Sequence, residues 1–268
     1  MKLKFISLIA LFASMQAAAV TVDTVAVATT HLDSPMNVIV YTPDKATRGE
    51  KCPTVYLLNG YSGDYTSWSR DVPRLRDFSD DYGMIFVCTD GRNSWYWDSP
   101  IDPSRQVESA IVKDVVPFVD SHYPTIADAR HRAVTGMSMG GHGAIWLAAR
   151  HPDVWGSAGS MSGGVDIRPF PDNWEMAQRL GSYADNKEVW DAHTVTEMVP
   201  VIKESGINLL FDCGVDDFFA EVNRELHRKL LEAKVPHDYT ERPGAHTWDY
   251  WRNATPYHLA FFHEVFRK

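Results

Sequence analysis

Gly136-Met137-Ser138-Met139-Gly140 sets a serine between two glycines, the G-x-S-x-G spacing in which a sharp strand-to-helix turn lifts the hydroxyl clear of its neighbours. A serine hydroxyl is a weak nucleophile at neutral pH. Chemistry at Ser138 therefore requires a histidine to take its proton and a carboxylate to hold that histidine in one tautomer. In this strand–turn–helix setting the partners follow in the order Ser, Asp, His. The acid is expected in the loop after the apolar run 208–213, where Gly214-Val215-Asp216-Asp217 stands. The Gly214-x-x-Asp217 spacing favours Asp217, with Asp216 as the alternative. Both could instead be acidic turn residues capping the helix expected from Glu221. Three histidines follow. His246 sits in a loop after the strand expected at 237–241, whereas His258 and His263 fall within the final amphipathic helix and read as hydrogen-bonded helix residues. His142, on the helix leaving the turn, is expected to point away from Ser138 and to support it by packing or hydrogen bonding.

A tetrahedral intermediate needs backbone donors where its negative charge forms. The amide of Met139, directly after the nucleophile, is one candidate. The amide of Tyr61 is the second, because Tyr56-Leu57-Leu58-Asn59-Gly60-Tyr61 ends an apolar strand with a glycine that lets the chain turn. A plain Asn-Gly hairpin is the other reading, and residues 63–68 do not look like its returning strand. Metal and nucleotide chemistry find no support. His263-Glu264 starts the zincin spacing, but Arg267 stands where its second histidine belongs, and neither a P-loop nor a G-x-G-x-x-G after a strand occurs. No metal and no cofactor are expected.

These groups must be carried by a scaffold. Residues 20–28 and 36–41 alternate β-branched residues, and 54–58, 84–89, 132–135, 158–161 and 208–212 are short apolar runs, all read as strands. Helical spacing appears at 106–123, 141–151, 221–233 and 256–266. This alternation predicts the α/β class: a mostly parallel sheet with helices on both faces and an antiparallel N-terminal edge. Residues 20–268 read as a single domain. Residues 165–199 break the alternation and are rich in polar and aromatic residues, either a lid-like insertion over the site or a solvated excursion.

The chain has 268 residues, 44% hydrophobic and 23% charged, enough to bury a core without disulfides or metals. Residues 1–19 run from Lys2 and Lys4 through an apolar stretch to Ala17-Ala18-Ala19, the order of a secretory signal peptide, and the stretch is too short for a membrane anchor. Export, periplasmic or secreted, with cleavage near Ala19 and no stable membrane insertion, is the expectation. The formal charge is −9, and −11 without Lys2 and Lys4, which argues against a nucleic-acid partner. Cys52, Cys88 and Cys213 are an odd count and do not form a disulfide scaffold. Cys88 and Cys213 lie in apolar runs and read as small core residues.

The segments 56–61, Asn93-Ser94-Trp95-Tyr96, 136–143 and Gly244-Ala245-His246-Thr247-Trp248 together resemble the esterase family of the α/β-hydrolase superfamily. That family includes esterase D (S-formylglutathione hydrolase), bacterial feruloyl and acetylxylan esterases, and the mycobacterial mycolyltransferases of the antigen 85 group. The resemblance runs from about Tyr41 to the C-terminus. It implies Ser138, Asp217 and His246 as the triad, and Tyr61 and Met139 as the oxyanion donors. Asn59 departs from the pattern, since members usually carry histidine there. The implied activity is hydrolysis of carboxylic esters through a Ser138 acyl-enzyme, with small-molecule or polysaccharide substrates carrying short acyl, acetyl or feruloyl groups. The alternative is an acyltransferase delivering the same acyl group to a sugar or other alcohol. A binding module on a dead hydrolase fold would require a lost triad residue. Trp95, Tyr96 and Trp97 follow a strand end, where ligands bind in open α/β sheets, and could form a platform for a sugar or phenolic ring or pack beneath the loop. Trp248 and Trp251 carry the same two readings.

Overall fold

A computed structural model describes residues 20–268; the expected signal peptide at 1–19 lies outside the described residues. Eight strands form one sheet in the order β1-β2-β4-β3-β5-β6-β7-β8: β1 Thr21–Val27, β2 Met36–Thr42, β3 Thr54–Leu58, β4 Ile85–Thr89, β5 Arg132–Met137, β6 Ser157–Met161, β7 Asn208–Gly214 and β8 Asp238–Arg242. The first two strands pair antiparallel and β2 pairs antiparallel with β4. Every pairing from β4 to β8 is parallel. Both faces are covered, so the central strands are continuous apolar runs rather than alternating ones. In β3 the alternation survives only as a choice of face: Val55 and Leu57 enter one core, Tyr56 and Leu58 the other.

The larger core is closed by α2, Met139–Arg150, and α3, Ala220–Glu232, and the second by α1, Leu75–Tyr82, and α4, Trp248–Phe266. From Met139 to Ala149 every residue of α2 is buried, because its small residues let it sink against the sheet. The helix expected at 106–123 is present but contains a π-helical turn at Ile111–Val115, just ahead of Pro117. Proline lacks the N–H and crowds the carbonyl four residues back, and the wider turn relieves that conflict. The last helix begins at Trp248, earlier than the expected start at 256, with Pro256 inside it. A proline that reads as a helix start in sequence is here held within a helix by packing on the sheet.

The chain passes from β3 to β4 on one side and then to β5 on the other, so the strand order reverses at β3 and β5. A crevice opens beyond the carboxyl ends of these strands, the usual place for a ligand in an open α/β sheet. Residues 165–199 hold only short helices, including Ala177–Leu180 and Lys187–Ala192, with Trp190 fully buried. All three cysteines are free and buried. Among the described residues no helix is long and apolar enough to cross a membrane.

Candidate active site

β5 ends at Met137 and α2 begins at Met139, so Ser138 alone makes the turn. Its φ of 57° and ψ of −119° lie where a non-glycine residue is strained, and its N–H donates to the Met161 carbonyl at 2.9 Å. The flanking glycines are sterically required. A Cβ on Gly136 would stand 2.5 Å from the Gly140 carbonyl oxygen, and one on Gly140 would stand 2.4 Å from that of Leu58. The tight turn follows from that fit, and it points the Ser138 side chain into the crevice.

His246 Nε2 lies 2.8 Å from Ser138 Oγ, and its Nδ1 lies 2.8 and 3.0 Å from the two carboxylate oxygens of Asp217. With Nδ1–H donating to the carboxylate, Nε2 is left to accept the serine proton. Asp217 is held in turn: Oδ1 accepts the Phe219 N–H at 2.8 Å, and the carboxylate is fully buried while the histidine side chain is 16% exposed. Asp216 is exposed, and its N–H donates to the Gly244 carbonyl. A buried, oriented carboxylate, a partly open imidazole and a strained serine constitute a nucleophile–base–orienter set.

Beside them the β3 loop passes Ser138; a Cβ on Gly60 would be 3.4 Å from the Ser138 Cβ. Met139 supplies the first N–H of α2, which has no partner within the helix. Asn59 anchors the loop. Its Oδ1 accepts the Gly91 N–H and the Tyr96 hydroxyl, each at 2.9 Å, and its Nδ2 donates to the Gly60 carbonyl. Farther out, Asn93 Oδ1 accepts the Ser62 N–H at 2.7 Å.

The structure corrects the platform reading of Trp95 and Tyr96. Both are buried, as is Trp97, and neither lines the crevice. Tyr96 is used from beneath to hold Asn59. Trp97 donates its indole N–H to His142 Nε2 at 2.9 Å, and His142 Nδ1–H donates to the Gly164 carbonyl at 3.0 Å. Burial pushes the His142 imidazole down to about 3, so it is neutral and acts as a strut, as its place on α2 suggested. Trp248 does line the crevice, and so does Trp251.

The crevice has a volume of about 290 Å³, and Ser138 and His246 are among the residues that line it. Tyr61 and Trp248 form part of its wall, together with Trp174 and Phe218, which sequence reasoning did not place there. Trp174 stacks on Phe218 with ring centres 5.8 Å apart, and Phe218 lies 4.3 Å from the His246 ring. Phe218 follows the acid directly, a signal that could have marked it. Trp174 reaches the site only through the tertiary path of the 165–199 segment. Among the described residues no group of three or more His, Cys, Asp or Glu side chains could hold a metal ion.

Residues 29–262 match the family described as "Putative esterase". The chain is 27% identical over 231 residues to an esterase of Mycobacterium tuberculosis, an alignment covering 76% of this chain and 51% of that one, so it spans about half the length of that relative. It is 25% identical to an acetyl esterase of Caldicellulosiruptor saccharolyticus, covering 78% of this chain and 84% of the relative. A solved ferulic acid esterase superposes with a TM-score of 0.77 at 25% identity, over 92% of this chain and 98% of that one. With the family match spanning nearly all of the described residues, this α/β-hydrolase chain belongs to the esterase family.

Proposed function

We propose that the protein hydrolyses carboxylic esters through an acyl-enzyme on Ser138. The observation that carries this is the unbroken hydrogen-bonded line from Ser138 through His246 to Asp217, with Ser138 and His246 lining a crevice. Ser138 Oγ attacks the ester carbonyl while His246 Nε2 takes its proton, and the carbonyl oxygen becomes an oxyanion facing the Tyr61 and Met139 amides. The intermediate collapses, the carbonyl–alkoxy bond breaks, and His246 returns the proton to the leaving alcohol. Water, deprotonated by the same imidazole, then attacks the acyl group, releasing the acid and restoring Ser138.

The crevice volume lies just below the roughly 300–1,000 Å³ usual for ligand sites, which suits a short acyl group or a single ring. Its aromatic walls favour a flat phenolic acyl group such as feruloyl, with acetyl as the smaller alternative. The names of the acetyl esterase and ferulic acid esterase relatives agree with that range. A polysaccharide bearing such esters fits a site open at its mouth. Residues 165–199 act as a partial cover through Trp174, within one catalytic domain from 20 to 268. We also infer export with removal of residues 1–19, on the order of basic, apolar and small residues there.

A panel of nitrophenyl acetate, methyl ferulate and acetylated xylan, with and without an added alcohol acceptor, tests the reading. Free acid formed faster than transferred ester is the expected result; predominant transfer to the acceptor would make the protein an acyltransferase. Hydrolysis that persists in Ser138→Ala would refute the mechanism. N-terminal sequencing of exported protein checks the leader, expected to leave a start within a few residues of Val20.

A further inference from the structure

A second set of polar groups converges below the site on Asp212, a fully buried carboxylate of β7 that the proposed reaction does not use. Its Oδ1 accepts the Tyr250 hydroxyl at 2.9 Å. Its Oδ2 accepts His258 Nε2–H at 2.9 Å and stands 3.2 Å from Nη1 of Arg242. On the far side of the His258 ring, the Thr135 hydroxyl donates to Nδ1 at 2.9 Å, which leaves the ring proton on Nε2. Burial, reinforced by Asp212, pushes the Tyr250 phenol up, so it keeps its proton and remains a donor.

The positions of these partners in the chain give the cluster its meaning. Arg242 lies four residues before His246 and Tyr250 four residues after it, so one carboxylate holds both ends of the loop carrying the base. The same carboxylate is five residues ahead of Asp217. Through His258 it reaches Thr135, three residues ahead of Ser138. Two backbone bonds lace the acid and base loops together, Val215 N–H to the Arg242 carbonyl and Asp216 N–H to the Gly244 carbonyl, each 2.9 Å. The Tyr250 ring closes on Gly244, where φ is +140° and a Cβ would come within 2.8 Å of it. Thr135, His258 and Asp212 repeat the hydroxyl–imidazole–carboxylate order of the Ser138 triad, but all three are sealed from solvent and from substrate.

We propose that Asp212 is a positioning residue: its carboxylate clamps both flanks of the His246 loop to the strand leading to Asp217, and so sets the imidazole between Asp217 and Ser138. The Tyr250 hydroxyl and His258 Nε2–H are the donors that this buried carboxylate must keep, and Arg242 adds an ion-pair contact rather than a hydrogen bond, so together they fix β8 and α4 against β7. For its effect on turnover this rests on the esterase reading; for its effect on geometry it does not.

Asp212→Asn and Tyr250→Phe in the full chain test it, with Leu259→Ala, an equally buried apolar side chain of α4, as the packing control. We would measure kcat and KM on nitrophenyl acetate well below the melting temperature, and follow by proton NMR the downfield imidazole proton of the His246–Asp217 bond. Asp212→Asn should lower kcat by about 10- to 100-fold, and Tyr250→Phe several-fold, with KM within about twofold, as expected for a displaced base. The downfield resonance should shift or broaden in both. Leu259→Ala should lower the melting temperature while leaving kcat and the resonance in place. If Asp212→Asn does not fold, Tyr250→Phe, which removes a single oxygen, carries the test. Unchanged kcat and resonance in folded Tyr250→Phe, or an equal kcat loss in Leu259→Ala, overturns the clamp. Absence of ester turnover in the unaltered protein would defeat the esterase reading instead, and the resonance would still decide the clamp.

Discussion

His246 Nδ1 sits 2.8 Å from Asp217 Oδ2, while Asp216, the adjacent carboxylate, is exposed and enters the turn only through its backbone. Asp217→Asn should therefore cost on the order of 10³–10⁴ in kcat by losing the correct histidine tautomer. Asp216→Asn should cost less than about twofold, since surface changes without partners are near neutral. The reverse order in steady-state kinetics would reassign the acid.

An active serine should be uniquely reactive. A fluorophosphonate probe at neutral pH is expected to label Ser138 alone, and Ser138→Ala should abolish labelling without unfolding the chain. Ser160 and Ser162 are fully buried and should stay unlabelled. His246→Ala should suppress labelling and His263→Ala should not, because His263 lies on the outer part of α4 against Tyr82. Mass spectrometry of the labelled peptides reads the result.

Asn59 holds the oxyanion loop with two buried donors on one oxygen. Asn59→Ala leaves the Gly91 N–H unmatched, while the Tyr96 hydroxyl keeps the residue-59 carbonyl at 3.0 Å, and should lower stability by about 1–3 kcal/mol. It should also reduce kcat by roughly tenfold or more through loss of loop placement. Asn59→His, the residue that the family resemblance implies at this place, is the informative rescue, and denaturant melts beside kinetics separate the two effects.

Trp174 and Phe218 form a stacked wall of the crevice, in which Phe218 packs on the His246 ring and Trp174 stacks on Phe218. Trp174→Ala should raise KM for methyl ferulate by about tenfold, equivalent to roughly 1.4 kcal/mol, and leave nitrophenyl acetate within about twofold. Equal losses on both substrates would move these rings from substrate contact to structural support.

His142 makes a pH prediction. Its folded value is pushed down to about 3 by burial, whereas an unfolded imidazole titrates at its ordinary value near 6.5. Above that value both states are neutral and the stability is fully present. As pH falls from there toward 3 the unfolded chain gains a proton that the folded one refuses, so stability drops by about 1.4 kcal/mol per pH unit from this group. His142→Gln, which keeps an acceptor for Trp97, should flatten that slope in urea melts across the interval.

Ser138, Asp217 and His246 were legible because chain order and loop composition confine them. A glycine-flanked serine after a strand, a carboxylate after a late strand and a histidine after the last strand leave few choices. The sheet was legible for the same reason, as runs separated by helical spacing. Trp95 and Tyr96 could not be decided between platform and packing because Arg92, Asn93, Trp95 and Tyr96 all take positive φ, between 47° and 65°, which turns the aromatic rings inward. Nothing in a Trp or Tyr signals a left-handed backbone. Trp174 was unreadable as a wall residue because only the tertiary path of its segment brings it to Phe218. The α4 start was missed because Pro256 is tolerated by packing, a long-range effect.

The three buried thiols also make the chain its own recorder of opening. Burial pushes Cys52, Cys88 and Cys213 up, so none offers appreciable thiolate in the folded state, and an alkylating reagent can reach them only after their surroundings part. They sit at separate stations: Cys52 where its backbone pairs with the chain around Thr125, Cys88 within β4, and Cys213 in β7 beside the acid loop. The order in which they become modified during slow unfolding is therefore a map of which region breathes first, obtained without adding any foreign label.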